Sequence, residues 1–170
     1  MCTVKKAFVL GAGLGTRLKK LTEKLPKPMI PVFGKPLIEF AFDHLIDAGF
    51  EKFIINTHHE AKAYKEYFKT EKYRDKPLTF VHEPLLLDTG GGIDNVSNIL
   101  KPNPFIVYNG DILTDLPLND LIEAHNANNS LVTLALRSTG KAKHIALEDN
   151  KITDIRNMLE SGKEGTHMFT

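Results

Sequence analysis

The apolar residues Ala7 to Leu10 run straight into Gly11-Ala12-Gly13-Leu14-Gly15-Thr16-Arg17. A short apolar run ended by glycine predicts a buried strand over Val4–Leu10 that stops at a loop. Glycines let backbone amides approach an anion closely, and successive amides form an anion-binding nest. Arg17 adds a planar fork for phosphate oxygens. Lys27, held between Pro26 and Pro28, adds a compact point charge. Together these residues read as a triphosphate cradle. Two better-known glycine loops are excluded. The dinucleotide fingerprint G-x-G-x-x-G fails because Thr16 stands at its third glycine. The P-loop pattern fails because Thr16 and Arg17 stand where its second glycine and its lysine belong.

Beyond the loop, strands and helices alternate. Pro36–Ala48 reads as a helix, with an apolar stripe of Leu37, Ile38, Ala41, Leu45 and Ala48 and with Gly49 as its C-terminal cap. Strands are expected at Lys52–Asn56, Leu78–His82, Phe105–Tyr108 and Leu131–Arg137. Helices are expected at Glu60–Thr70, Gly91–Leu100 and Pro117–Asn128. His144–Leu147 and Lys151–Ile155 read as a hairpin turning at Asp149-Asn150. Such alternation argues for crossover connections and a mostly parallel sheet.

Composition narrows the functional classes. The chain has 170 residues, 42% hydrophobic and 25% charged, with a net charge of +1. That length suits one domain with a real core. The charge balance gives no field for nucleic acid. No apolar run approaches the ~20 residues that span a bilayer, so no membrane partner is expected. The single cysteine, Cys2, permits no internal disulfide, which makes a reducing compartment, the cytoplasm, the default.

Asn109-Gly110-Asp111 follows the apolar strand Phe105–Tyr108. Ligands of open parallel sheets bind at strand carboxyl ends, so Asp111 can hold Mg²⁺, which prefers one or two carboxylates plus substrate phosphates. An Asn-Gly hairpin is the competing reading. It is disfavoured because Pro117–Ile122 starts a helix rather than a return strand. Asp115 reads as a surface or helix-start residue. His58-His59-Glu60 lacks the spacing of a zinc motif and reads as strand-end structure, with at most one histidine lining the cleft. Lys62–Lys72 reads as an amphipathic surface helix.

The stretch LGAGLGTRLKKLTEKLPKPMIPVFGKPLIEF resembles the signature of the sugar-1-phosphate nucleotidyltransferases, the nucleoside-diphosphate-sugar pyrophosphorylases. Its G-x-G-T-R-L, P-K-P and K-P-hydrophobic pieces occur in order. One departure is Lys20, where many members have proline. The resemblance implies a Rossmann-like three-layer α/β sandwich with a mostly parallel central sheet. It implies that residues 1–170 form one nucleotidyltransferase catalytic domain, C-terminally incomplete in its sugar-binding part. It also implies transfer of a nucleotidyl group from an NTP to a sugar 1-phosphate with release of pyrophosphate, in the manner of bacterial enzymes acting on hexose or N-acetylmuramate 1-phosphates.

On this reading Ala12, Gly13, Gly15 and Thr16 cradle the triphosphate. Arg17 stabilises the leaving pyrophosphate, Lys27 neutralises charge at the reacting centre, and Asp111 holds Mg²⁺. Glu83 with Gly90 and Gly91 resembles the base-reading segment. A carboxylate accepts hydrogen bonds only, so UTP, dTTP or GTP is favoured over ATP and CTP. A homo-oligomer is left open. A non-catalytic nucleotide-binding or regulatory module of the same fold is the rival of a different class. A dinucleotide-dependent oxidoreductase is disfavoured by the broken fingerprint.

Overall fold

The computed structural model describes residues 4–141 and 143–169. Cys2, and with it the compartment argument built on its thiol, lies outside them. The chain divides into two compact units, Met1–Asn119 and Asp120–Thr170.

In the first unit β1 (Lys6–Leu10) leads into the glycine loop and a 3-10 segment, Thr16–Thr22. A second 3-10 turn, Lys27–Met29, precedes the small antiparallel pair β2 (Pro31–Val32) and β3 (Lys35–Pro36). Helix α1 (Leu37–Asp47) follows at once. Its end closes as a Schellman motif. Gly49 N–H donates to Ile46 O at 2.9 Å, Phe50 N–H donates to Leu45 O at 3.0 Å, and Gly49 takes φ +88°. Next come β4 (Lys52–Thr57), α2 (Lys62–Tyr67), β5 (Lys72–Tyr73) and β6 (Lys76–His82). The stretch expected as one helix from Gly91 is two, α3 (Asp88–Asn95) and α4 (Ser97–Leu100), separated at Val96. β7 (Phe105–Asn109) completes the sheet, and α5 (Leu118–Asn128) begins in this unit and continues into the second.

The sheet order is β5-β6-β4-β1-β7. β1 pairs in parallel with both β4 and β7, and β4 pairs in parallel with β6. Only the short edge strand β5 runs antiparallel. The mostly parallel α/β sheet is therefore as expected. Alternate residues of the inner strands face opposite layers, the period of two of a pleated strand. Phe8 and Ile54 pack with Val96 and Leu100 of the α3–α4 segment. Phe53 meets Phe42 of α1 at 5.4 Å between ring centroids, and Phe42 meets Phe68 at the end of α2 at 5.8 Å. Helices thus cover both faces of the sheet.

The second unit carries β8 (Leu136–Arg137), β9 (Ile145–Glu148), β10 (Lys151–Ile155) and β11 (Met168–Phe169). The β9–β10 hairpin turns at Asp149 and Asn150, with φ +48° and +60°. Both residue types tolerate the left-handed region that a two-residue hairpin needs. The expected strand Leu131–Arg137 is shortened to its last two residues, which pair with Met168 and Phe169. Leu131 and Val132 are exposed and unpaired in strand terms. Apolar alternation makes a strand only where a partner edge lies alongside.

Asp154 organises the loop after β10. It accepts hydrogen bonds from the Ser161 hydroxyl, the Ser161 amide at 3.2 Å and the Leu159 amide at 3.3 Å. The Ser161 hydroxyl first, then these backbone donors, hold its carboxyl below the ordinary carboxylate value against an opposing effect of burial. A carboxylate with a depressed folded pKa stabilises the fold above its unfolded value and loses that contribution as the pH falls through the folded one. The amides of Leu159 and Ser161 are expected to lose hydrogen-exchange protection on acidification below about pH 4. In Asp154→Asn the loss is expected to be present already at neutral pH and to depend little on acid.

Candidate active site at the strand ends

Four parallel strands end along one edge, and the expected residues gather there. Leu10 stands opposite Asn56 and Asn109 in the register, and Thr57 stands opposite His82. Gly11, Gly110-Asp111 and Glu83 therefore follow neighbouring strand ends. β1 connects onward toward β4 on one side and has β7 on the other. That is a topological switch point, where open α/β sheets bind ligands.

The glycine loop is held from beneath. Gly110 N–H donates to Leu10 O at 3.0 Å, and Tyr64 Oη–H donates to Gly11 O at 2.9 Å. Burial raises the Tyr64 phenol well above its ordinary value, so this donor keeps its proton. A Cβ on Gly11 would lie 2.7 Å from Asn56 O and 2.9 Å from the Tyr64 oxygen, so no side chain fits there. Ala12 is buried and Gly13, Thr16 and Arg17 are exposed, which leaves the outer part of the loop open to a ligand.

Gly15 takes φ +63°, and a Cβ there would lie 2.7 Å from Thr22 Cγ2. The Thr22 hydroxyl donates to Gly15 O at 3.0 Å. His59 Nε2–H donates to Thr22 O at 2.7 Å. His58 Nδ1–H donates to Glu83 O at 2.7 Å. Both histidines thus serve the backbone of the strand-end loops, in line with the structural reading of this pair.

Lys27 Nζ lies 2.6 Å from Asp111 Oδ2, across 84 residues of sequence. Both side chains are about one-third exposed, so the pair faces solvent at the strand ends. No return strand follows Asn109-Gly110; α5 does, which removes the hairpin reading. Asp115 is exposed. Among the described residues no three metal-ligating side chains cluster. Asp111 is a carboxylate that could serve as one ligand of a magnesium ion, a cation that takes one or two carboxylates plus phosphates.

Glu83, expected beside the base, is 0% exposed, and both carboxylate oxygens are engaged within the protein. Oε1 accepts from Asn56 Nδ2 at 2.8 Å and Oε2 accepts from Leu87 N–H at 3.3 Å. Gly90 is exposed and Gly91 half-buried, whereas Gly92 is buried against this pair. Tyr64 and Thr22 support the glycine loop without having been singled out as site residues, and no local sequence signal marks them; Asn56, a polar residue closing the apolar strand Phe53-Ile54-Ile55, and Gly92, within the glycine run, did carry one.

A family model described as Nucleotidyl transferase matches residues 6–146. The chain belongs to the nucleotidyl transferase family. It is 36% identical over 134 residues to a mannose-1-phosphate guanylyltransferase of Mycobacterium tuberculosis, covering 79% of this chain and 37% of that protein. It is 37% identical over 132 residues to a D-glycero-alpha-D-manno-heptose 1-phosphate guanylyltransferase of Campylobacter jejuni, covering 78% of this chain and 57% of that protein. HddC from Yersinia pseudotuberculosis complexed with GMP-PN shares the fold at TM-score 0.65 and 30% identity, over 72% of this chain and 54% of that one. The chain thus spans 37% to 57% of the length of these two curated relatives. No helix among the described residues of this nucleotidyl transferase chain is long and apolar enough to cross a membrane.

Gly15→Ala tests the loop directly. A left-handed alanine costs about 1–2 kcal/mol, and Thr22 must also move. A lower denaturation midpoint is expected, together with weaker NTP binding measured well below that midpoint.

Proposed function

We propose that this protein transfers a nucleotidyl group from an NTP to a sugar 1-phosphate, giving an NDP-sugar and pyrophosphate. The observation that carries the reading is the approach of Lys27 to Asp111 beside an open glycine loop on the adjoining strand end. A cation, a carboxylate and free backbone amides converge where a triphosphate needs all three. The named activities of the relatives support the same reaction class.

A phosphate oxygen of the sugar 1-phosphate attacks the α-phosphorus in line. The bond from that phosphorus to the β-phosphate oxygen breaks, and its electron pair leaves with pyrophosphate. No protein nucleophile is required, so catalysis is positioning and charge neutralisation. Ala12, Gly13, Gly15 and Thr16 offer backbone donors to the phosphates. Arg17 forks onto the departing β- and γ-phosphates. Lys27 swings from Asp111 to the charge that develops around the α-phosphate. Asp111 is the residue that would hold magnesium, which neutralises triphosphate charge when bound.

The base is read by the exposed segment from Pro84 to Gly90, with Gly91, rather than by the Glu83 carboxylate, whose acceptors are already engaged. UTP, dTTP and GTP remain the proposed donors, in keeping with uridylyl- and guanylyltransferase relatives. The same reading puts the enzyme in the cytoplasm and allows a homo-oligomer. A second reading is nucleotide binding without turnover, which the same glycine loop and Lys27–Asp111 pair would also support.

The test is pyrophosphate release from five NTPs against a panel of sugar 1-phosphates, beside calorimetric NTP titration. Wild type is expected to turn over. Arg17→Ala, Lys27→Ala and Lys27→Arg are expected to lose about 100-fold or more in kcat, as removal of one transition-state donor does elsewhere. Asp111→Asn is expected to lose its magnesium activation. Binding without turnover would select the second reading, and no binding would remove both.

A further inference from the structure

Beneath the glycine loop lies a polar connection that the proposed reaction does not use. Asn56 is 3% exposed and Glu83 is 0% exposed. Gly11 N–H donates to Asn56 Oδ1 at 2.8 Å. That bond fixes the amide's orientation, because only the carbonyl end can accept. The other end is then forced to donate, and Nδ2–H reaches Glu83 Oε1 at 2.8 Å. The second carboxylate oxygen accepts the Leu87 amide at 3.3 Å, one residue before α3. One chain of hydrogen bonds therefore runs from the first residue of the phosphate loop to the residue that leads into the glycine-rich helix.

The surroundings are shaped around this pair. A Cβ on Gly92 would lie 3.1 Å from Glu83 Oε1, 3.2 Å from Asn56 Nδ2 and 3.5 Å from the Phe8 ring. Gly92 lets α3 lie directly on the pair and excludes water from it. Glu83 N–H donates to Thr57 O at 2.7 Å, and His58 holds its carbonyl. The main chain on either side of the carboxylate is thus fixed as well. A buried carboxylate so enclosed touches no base edge.

We propose that Asn56 and Glu83 act as a single positioning unit, which sets the phosphate loop and the base-reading segment in one fixed spacing so that an NTP meets both at once. This inference rests on the nucleotide site proposed above and goes beyond it. It moves Glu83 from a reader of the base to a residue acting through Asn56 and Leu87. It also adds Asn56, which touches no substrate.

The donor and acceptor pattern makes a reciprocal exchange decisive. Asn56→Asp alone sets two carboxylates against each other in a buried site. Glu83→Gln alone leaves one of its two amide atoms facing a donor with a donor. In Asn56→Asp/Glu83→Gln every bond has a counterpart. The aspartate still accepts from Gly11 N–H, the glutamine amide donates to the aspartate, and the glutamine carbonyl accepts from Leu87. Each variant is titrated with UTP, GTP and inorganic tripolyphosphate by calorimetry, at a temperature where circular dichroism shows it folded.

Each single variant is expected to bind all three probes at least 10-fold more weakly than wild type. The double variant is expected to return to within about 3-fold, and the ranking of UTP against GTP is expected to stay the same throughout. If Glu83 reads the base instead, Glu83→Gln will change the UTP-to-GTP ratio without weakening tripolyphosphate, and the double variant will keep the changed ratio. That result overturns the proposal, as do folded single variants with wild-type affinities. A wild type that binds UTP and GTP while this pattern fails sinks the positioning role alone. A wild type that binds no nucleotide sinks the site on which it rests.

Discussion

β1 is hydrogen-bonded in parallel on both sides, and the candidate site follows from that one constraint. A strand flanked by β4 and β7 brings their carboxyl ends level with its own. Its next residue, Gly11, then emerges between Asn56 and Gly110 rather than at an exposed edge. Glycine is required there because the neighbouring backbone and Tyr64 leave no room for a Cβ. The loop thus begins anchored and ends free, with Gly13, Thr16 and Arg17 exposed. Amides that are neither paired in the sheet nor buried are the groups an anion can use.

The polar groups under the loop obey a stricter rule than those above it. A buried donor or acceptor left without a partner costs about 1–3 kcal/mol, so Asn56, Glu83, Gly11 and Tyr64 form a closed set in which each satisfies another. Lys27 and Asp111, one-third exposed, are held less tightly. An exposed ion pair is worth little to stability, and this one can part when phosphate arrives. Rigid groups below and movable charges above suit the proposed transfer between two phosphorylated substrates.

Much of this was legible in the sequence, and the boundary is physical. The apolar run into Gly11, the strand Phe105–Tyr108 and the helix after Pro36 each carried a period and a stop signal, and each stands where expected. Gly49 and Asp149-Asn150 announced their turns through residues that tolerate positive φ. Leu131–Arg137 carried the same alternation as a true strand but not its pairing partner, and pairing is non-local. The Gly90-Gly91-Gly92 run looked uniform, yet of the three only Gly92 is buried, packed on the Asn56–Glu83 pair. Glu83 followed a strand as a ligand-facing acid would. Whether it faces a cleft or an amide 27 residues upstream depends on the packing of α3, which no local pattern encodes.

The central claim is that an NTP lies across the ends of β1 and β7. Paramagnetic broadening by Mn²⁺ with a nucleoside triphosphate tests this most directly, because the effect falls steeply with distance from the metal. Amide resonances of Gly13, Gly15, Arg17 and Asp111 are predicted to broaden first on adding Mn²⁺ and UTP or GTP together, while those of Gly49 and Glu51, beside the opposite end of β1, stay sharp. Broadening centred on Gly49 and Glu51, with the glycine loop unaffected, would contradict the account.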